Sequence, residues 1–341
     1  MSQRLRGTVI GCGFFAENHL NAWATIPNVE LVAVCDLDPA KAESAKQRFG
    51  AGRAYTDAAA MLRETKPDFV DIATTVPSHR PLVELAASMK VPAIVQKPFG
   101  PTLADCEAMV KACAEAGVPL MVHENFRFQP PLRKIGKLID QGLIGAPHFG
   151  RITFRTGHDI YAKQPYLATE ERFAISDVGV HVLDMARFYF GEVASIACRT
   201  KRVNPKIRGE DSATMLVQHT GGAVSVVDVC YATPILPDPF PETLIEIDGD
   251  KGALRLEQGY RLRIGTRGGK PEYQELDPAP LPWAERPWHV VQESVLRIEE
   301  HWVDCLRRGV EPETSGADNL KTFAVVEAAY RSAETGETVH L

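Results

Sequence analysis

What this sequence lacks excludes several functional classes. It has no basic excess: 38 Lys and Arg stand against 44 Asp and Glu, a net charge of −6 over 341 residues. No Lys/Arg run or basic stripe appears, which argues against a nucleic-acid partner. No apolar run reaches the 18 residues of a membrane span. The opening MSQRLRGTVIG has neither the apolar stretch nor the cleavage site of a secretory signal. The seven cysteines (Cys12, Cys35, Cys106, Cys113, Cys198, Cys230 and Cys305) are odd in number and show no CxxC or Cys/His zinc spacing. The expectation is a reduced, cytoplasmic protein with free thiols and no bound metal. No internal repeat, GxSxG elbow or HExxH helix is present.

What remains is ordinary globular composition, 45% hydrophobic and 24% charged. The length suggests about two domains. Up to residue 125, short apolar runs alternate with helical stretches. Strands are expected at 7–11, 29–36, 53–55, 68–74, 93–96 and 119–124. Helices are expected at 14–26, 39–49, 57–64, 79–89 and 102–116. Strands apolar on both faces and separated by helices belong to a doubly wound parallel sheet. After residue 126 the pattern changes. Helices at 129–140 and 178–190 flank a strand at 148–157, and then strands follow one another. ATMLVQH and AVSVVDVCYA read as a hairpin turning on Gly221-Gly222. Leu254 and Leu256 alternate with Arg255 and Glu257, so one face is buried and the other wet. This half reads as an antiparallel sheet with few helices. Proline-rich stretches at 233–241 and 265–289 interrupt it, and helices at 289–308 and 317–334 close the chain.

The first turn reads Gly11-Cys12-Gly13-Phe14-Phe15-Ala16, a GxGxxA between a strand and a helix. Gly11 permits the tight turn, Gly13 lets backbone approach a pyrophosphate, and Ala16 permits close helix–strand packing. The helix N-terminus offers free N–H groups to phosphates. Asp36 ends the second strand, where a carboxylate meets the adenosine ribose. The same residues also suit a plain turn with Asp36 capping the helix at 39. With no Arg after it, Asp36 points to NAD rather than NADP.

Lys97, in Gln96-Lys97-Pro98, closes the fifth strand at the ligand-binding edge of an open α/β sheet. A lysine there can donate to a substrate oxygen, or simply face solvent. Asp177 and His181 stand four apart at the start of the 178–190 helix and share one face if the helix includes both. Histidine suits the proton of an oxidised alcohol; the alternative is an N-cap Asp and a packed core His. His158-Asp159 and His123-Glu124 read as hydrogen-bonding groups rather than metal ligands. Gln164-Pro165-Tyr166 lies in a loop.

Together and in this order, GCGFFA, QKPFG, HENFRFQP and SDVGVHVLD resemble the Gfo/Idh/MocA family, the relatives of glucose–fructose oxidoreductase and inositol 2-dehydrogenase. The resemblance covers nearly the whole chain. It implies a Rossmann domain over 1–125. Over 126–341 it implies an α/β domain with an open, largely antiparallel sheet for substrate binding and oligomerisation, the terminal helix packing back on the first domain. It implies NAD contacts from Gly11, Gly13, Phe14, Phe15 and Asp36, from the Thr74-Thr75 loop with His79, and from Gln96, Lys97 and Asn125. Lys97 matches the catalytic lysine of a Glu-Lys-Pro motif whose last bond is often cis. Asp177 and His181 match an Asp-x-x-x-His, the histidine as acid or base and the aspartate on a substrate hydroxyl. Asn125 and Arg127 match an Asn-x-Arg pattern near the nicotinamide and the domain junction. Arg127, His158, Gln164 and Tyr166 are candidates for further substrate contacts. Gln96 departs from the motif's usual acid, keeping hydrogen bonding but losing charge.

The expected function is NAD-dependent hydride transfer from a sugar or cyclitol hydroxyl. QKPF, HENFRFQP and QPY are most similar to a branch acting on free aldoses, including branched apiose. The expected assembly is a homodimer or homotetramer, with Lys97 and His181 serving one substrate. Three alternatives stay open: an NAD-dependent glycosidase with no net redox, a reductase of a non-sugar substrate, and a non-catalytic NAD-sensing regulator.

Overall fold

Six short strands take up the apolar runs of the first 125 residues: β1 (Leu5–Ile10), β2 (Val29–Cys35), β3 (Arg53–Tyr55), β4 (Phe69–Ile72), β5 (Ala93–Gln96) and β6 (Leu120–His123). Between them run α1 (Ala16–Thr25), α2 (Pro39–Phe49), α3 (Ala58–Thr65), α4 (His79–Ser88) and α5 (Leu103–Ala116). The computed structural model describes residues 4–341. All six strands are parallel, in the order β3-β2-β1-β4-β5-β6. Every residue of β4, β5 and β6 is buried, as helix cover on both faces of a parallel sheet requires. The strand order reverses between β1 and β4, so the crevice at their carboxyl ends is the binding edge of such a sheet.

The chain divides into two compact units. One comprises residues 4–125 with Gln292–Lys321, the other Phe126–Val291 with Thr322–Leu341. Most of α8 (His289–Arg308) therefore belongs to the first unit. Its Trp302 is fully buried and meets Phe69 of β4 edge-on, with ring centroids 6.5 Å apart.

The second unit opens with α6 (Pro130–Asp140), then β7 (Pro147–Arg155) and α7 (Val180–Phe190). Eight further strands follow: β8 (Val193–Lys201), β9 (Ser212–His219), β10 (Val224–Cys230), β11 (Leu244–Gly249), β12 (Gly252–Glu257), β13 (Arg261–Thr266), β14 (Glu272–Glu275) and β15 (Val339–His340). The last helix, α9 (Gly316–Thr335), precedes β15. The nine strands form one sheet, ordered β14-β13-β12-β11-β7-β10-β9-β8-β15. Its pairs are antiparallel except β7 with β10, which run parallel. The sheet is thus largely antiparallel, as expected, with one parallel pair that no local pattern records, because β7 and β10 are far apart in sequence.

Alternation sets the faces of this sheet. Ala213, Met215 and Val217 of β9 and Leu254 and Leu256 of β12 point into the core. Arg155 and Asp228 pair at 2.7 Å on the opposite face, which carries a shallow concavity of about 470 Å³ whose lining includes none of the candidate residues. The hairpin between β9 and β10 turns on Gly221-Gly222 as expected. Gly222 has φ +88°, a conformation glycine adopts without a Cβ clash. Within the proline-rich 265–289 stretch lies β14, an edge strand that the prolines around it mask from a sequence reading.

Candidate functional site

In the first unit the glycine turn is built from backbone. Gly11 has φ +99°, and a Cβ on it would lie 2.4 Å from the Ala73 carbonyl oxygen. Its N–H donates to the Cys35 carbonyl at 2.8 Å, tying the turn to the end of β2. A Cβ on Gly13 would meet nothing within 4 Å, so the space beside it is open. No side chain caps α1, and its first N–H groups are available to an anion. The side chain of Phe14 is half exposed, while the Phe15 ring meets His19 edge-on at 5.7 Å.

Asp36 is not the cap of α2. Asp38 fills that position, accepting from the Ala40 N–H at 2.9 Å. Asp36 instead accepts from the Cys12 N–H at 2.8 Å and the Asp38 N–H at 2.9 Å. These bonds hold its carboxylate against the glycine turn. Burial, then the Asp36 charge, push the Cys12 thiol up to about 12, so this cysteine is an inert thiol. An open Gly13, an uncapped helix N-terminus and a carboxylate at the end of β2 are together what a dinucleotide requires, so the residues present fit NAD.

Thr74 and Thr75 follow β4 at the same edge. Thr74 Oγ1 accepts from Ser78 Oγ at 2.7 Å. His79 is fully buried, with Nδ1 3.2 Å from the Phe99 carbonyl and Nε2 3.1 Å from the Thr74 carbonyl. Burial pushes its pKa down, so the ring is neutral and donates to one carbonyl at a time. Both ring nitrogens of His79 thus face backbone carbonyls, one of them in the Thr74 loop. Lys97 sits at the end of β5, partly exposed, and the Lys97–Pro98 bond is cis. Gln96 is buried, and its Oε1 accepts the Lys97 N–H at 2.6 Å. Asn125 is buried, and its Nδ2 donates to Ser294 Oγ of α8 at 2.7 Å.

In the second unit a π-helical turn, Ile175–Gly179, leads directly into α7. Asp177 lies inside that turn and caps neither segment. Its Oδ2 accepts from Tyr231 Oη at 2.6 Å. Burial, then the Asp177 charge, hold the Tyr231 phenol well above its ordinary value, so it stays a donor. The same two causes push the Tyr166 phenol up to about 12. His181 is buried, and its ring stacks flat on Phe126 with centroids 3.9 Å apart and planes 2° from parallel.

The π turn is held from outside the helix. Glu210 Oε1 accepts from the Ile175 N–H at 3.0 Å and from Tyr330 Oη at 2.9 Å; Tyr330 Oη in turn accepts from the Ser176 N–H at 3.1 Å. Behind it, Arg127 grips Asp184 with Nε and Nη2 at 2.6 and 2.7 Å, all buried. Thr322 Oγ1 donates to Asp184 at 2.7 Å and accepts from Arg187 at 2.7 Å. Arg127 thus has a buried carboxylate partner on α7.

His158 stacks on Phe240 at 4.2 Å, and Tyr166 Oη donates to Gln164 Oε1 at 3.0 Å. The structure thereby groups Tyr166 with Gln164, and Asp177 with Tyr231. Tyr231 and Glu210 were not legible as site residues, because their partners are distant in sequence and no motif of the family resemblance contains them; Phe126 stands within HENFRFQP, but the ring it stacks on, His181, is distant in sequence.

Residues 5–124 match the profile described as oxidoreductase family, NAD-binding Rossmann fold, and residues 132–255 match the GFO/IDH/MocA C-terminal domain. D-apiose dehydrogenase of Rhizobium rhizogenes is 55% identical over 99% of this chain and 97% of its own length. Myo-inositol 2-dehydrogenase of Thermotoga maritima is 26% identical over 99% and 98%. A crystal structure of an oxidoreductase from Agrobacterium radiobacter in complex with NAD+, L-tartaric acid and magnesium is 54% identical. It covers 99% of this chain and 98% of its own, with a TM-score of 0.97. With both halves matched by family profiles and full-length relatives above half identity, this chain belongs to the Gfo/Idh/MocA family of oxidoreductases, with an NAD-binding Rossmann domain.

Proposed function

We propose that this NAD-dependent oxidoreductase acts on a free aldose, a branched pentose such as D-apiose, at a hemiacetal or secondary hydroxyl. The observation that carries the reading is the 55% identity, over essentially the whole length of both chains, to a D-apiose dehydrogenase. NAD, when bound, accepts the hydride from the carbinol carbon as the C=O bond forms. His181 takes the hydroxyl proton. Lys97 donates to the substrate oxygen and favours its alkoxide-like transition state. Asp177, held by Tyr231, accepts from a substrate hydroxyl; Gln164, Tyr166 and His158 contact the others. The first unit binds the cofactor through Gly11, Gly13, Phe14, Phe15 and Asp36, and the second binds the sugar. Thr74, Thr75, Gln96 and Asn125 line or shape the nicotinamide end.

The test is NAD reduction measured over a panel of aldoses, inositols and sugar acids. D-apiose is expected to give the highest kcat/KM, at least about tenfold above any inositol, or about 1.4 kcal/mol. Equal turnover of inositol would remove the aldose assignment. Release of an aglycone from a glycoside without net NADH would favour a glycosidase instead.

The assembly proposed is a homodimer or homotetramer paired through the wet face of the nine-stranded sheet, and light scattering showing a monomer would overturn it. A cytoplasmic setting is supported by the seven cysteines, all of which are free. No helix among the described residues is long and apolar enough to cross a membrane.

A further inference from the structure

Behind the nucleotide edge of the first unit lies a buried polar chain, two of whose members, His19 and Asp71, take no part in the proposed chemistry. His19 of α1 is fully buried. Its Nδ1 stands 2.8 Å from Asp71 Oδ2 on β4, and its Nε2 stands 2.9 Å from Gln96 Nε2 on β5. Asp71 Oδ2 also accepts from Trp23 Nε1 at 2.8 Å. The chain ends at the Lys97 N–H, which donates to Gln96 Oε1 at 2.6 Å.

Donor and acceptor accounting fixes every proton along this path. A backbone N–H can only donate, so the Gln96 amide must turn its oxygen toward Lys97 and its nitrogen toward His19. An amide nitrogen can only donate, so His19 Nε2 must accept and carries no proton. The ring proton then sits on Nδ1 and points at Asp71. The opposite tautomer, or a doubly protonated ring, would set two N–H groups against each other in a dry interior, where an unsatisfied donor is costly.

We propose that His19 is a positioning residue for Lys97, acting as a neutral imidazole that orients Gln96 and through it the Lys97 backbone. The inference rests on the reading of Lys97 as the residue that donates to the substrate oxygen. It explains why a carboxamide can serve at position 96. The amide presents one donor to a neutral ring and one acceptor to Lys97, whereas a carboxylate presents only acceptors.

The other groups facing His19 fit this account. Glu299 Oε1 of α8 lies 3.5 Å from Nδ1, and both Glu299 oxygens are without hydrogen-bond partners among the described residues. Burial first, and then the Asp71 charge, push Glu299 well above the usual carboxylate range, so it does not compete as an anion for the ring. The His123 ring of β6 lies 4.1 Å away between centroids, and Phe15 closes the remaining side. His19, His123 and Glu299 also offer ligand atoms within 4.8 Å of one another. Both nitrogens of His19 are already committed, which argues for the polar chain over a cation site.

The test combines side-chain ¹⁵N NMR with kinetics on the full chain. His19 in the wild type is expected to show the neutral Nδ1–H tautomer. Gln96→Glu is expected to convert it to imidazolium near neutral pH and to give kcat a pH dependence absent from the wild type. His19→Phe is expected to lower kcat by about 10²-fold, the cost of a misplaced reacting group, with NAD affinity within about twofold. His19→Gln, which can present its amide oxygen to Gln96, is expected to recover part of the loss. If His19→Phe does not fold, the wild-type tautomer and the Gln96→Glu profile still decide the matter. An Nε2–H or imidazolium signal in the wild type, unchanged kcat in folded His19→Phe, or one zinc ion per chain would each overturn the proposal. Normal turnover by Lys97→Ala would overturn the role of Lys97 instead, leaving the tautomer result in place.

Discussion

The glycine turn after β1 and the π turn before α7 are assembled in opposite ways. The first is made of backbone. Gly11 supplies a positive φ and Gly13 open space, while Asp36 braces the Cys12 N–H from the neighbouring strand. The second is made of side chains brought from far along the chain. Asp177 is held by Tyr231, the turn itself by Glu210 and Tyr330, and α7 by Arg127 and Thr322. A backbone site recognises groups common to every dinucleotide, namely phosphates and ribose hydroxyls. A side-chain site can be altered residue by residue, and it is the part on which members of one fold diverge in substrate.

That contrast predicts different responses to substitution. The largest effect is expected at Asp184, whose loss would remove the buried carboxylate that Arg127 grips with two hydrogen bonds, while Arg187 keeps Glu192. Asp184→Ala should destabilise the protein by about 3–5 kcal/mol, read as a fall in the denaturant midpoint. A change under about 1 kcal/mol would mean that α7 does not depend on this network.

Next come the proposed chemical groups. His181→Ala and Lys97→Ala should each lower kcat by about 10²-fold or more, with NAD affinity little changed in the His181 variant. A near-normal rate in either variant would remove its role.

At Asp36 the expected effect is smaller and concerns selectivity. The wild type should favour NAD over NADP by at least about tenfold in kcat/KM, about 1.4 kcal/mol, and Asp36→Asn should narrow that ratio. Equal efficiency with both cofactors in the wild type would show that the carboxylate does not meet the ribose.

The smallest effect is a pH trend. Glu299 is held above its ordinary value by burial, so the folded state keeps a proton that the unfolded chain releases. Its favourable contribution is complete below the unfolded value of about 4.3 and declines as pH rises above it. Glu299→Gln stays neutral in both states, so its stability relative to wild type should improve from pH 4 to pH 8. Parallel stability curves for the two proteins would contradict this.

Whatever depends on neighbours along the chain was legible in the sequence. The β/α alternation to residue 125, the wet and dry faces of β12, the glycine turn and the hairpin at Gly221-Gly222 all follow from local backbone preference and hydrophobic period. The Asp at the end of β2 was legible for the same reason, although only the structure showed that Asp38, not Asp36, caps α2. Tertiary structure alone decided the parallel pairing of β7 with β10 and the return of Gln292–Lys321 to the first unit. It also decided the Tyr231 bond to Asp177, the stacking of Phe126 on His181, and the chain from Asp71 through His19 to Lys97. Those contacts join residues tens to more than two hundred positions apart. Their partners are chosen by the packing of a buried interior and the need to satisfy each polar group within it, and neither requirement leaves a trace in local sequence.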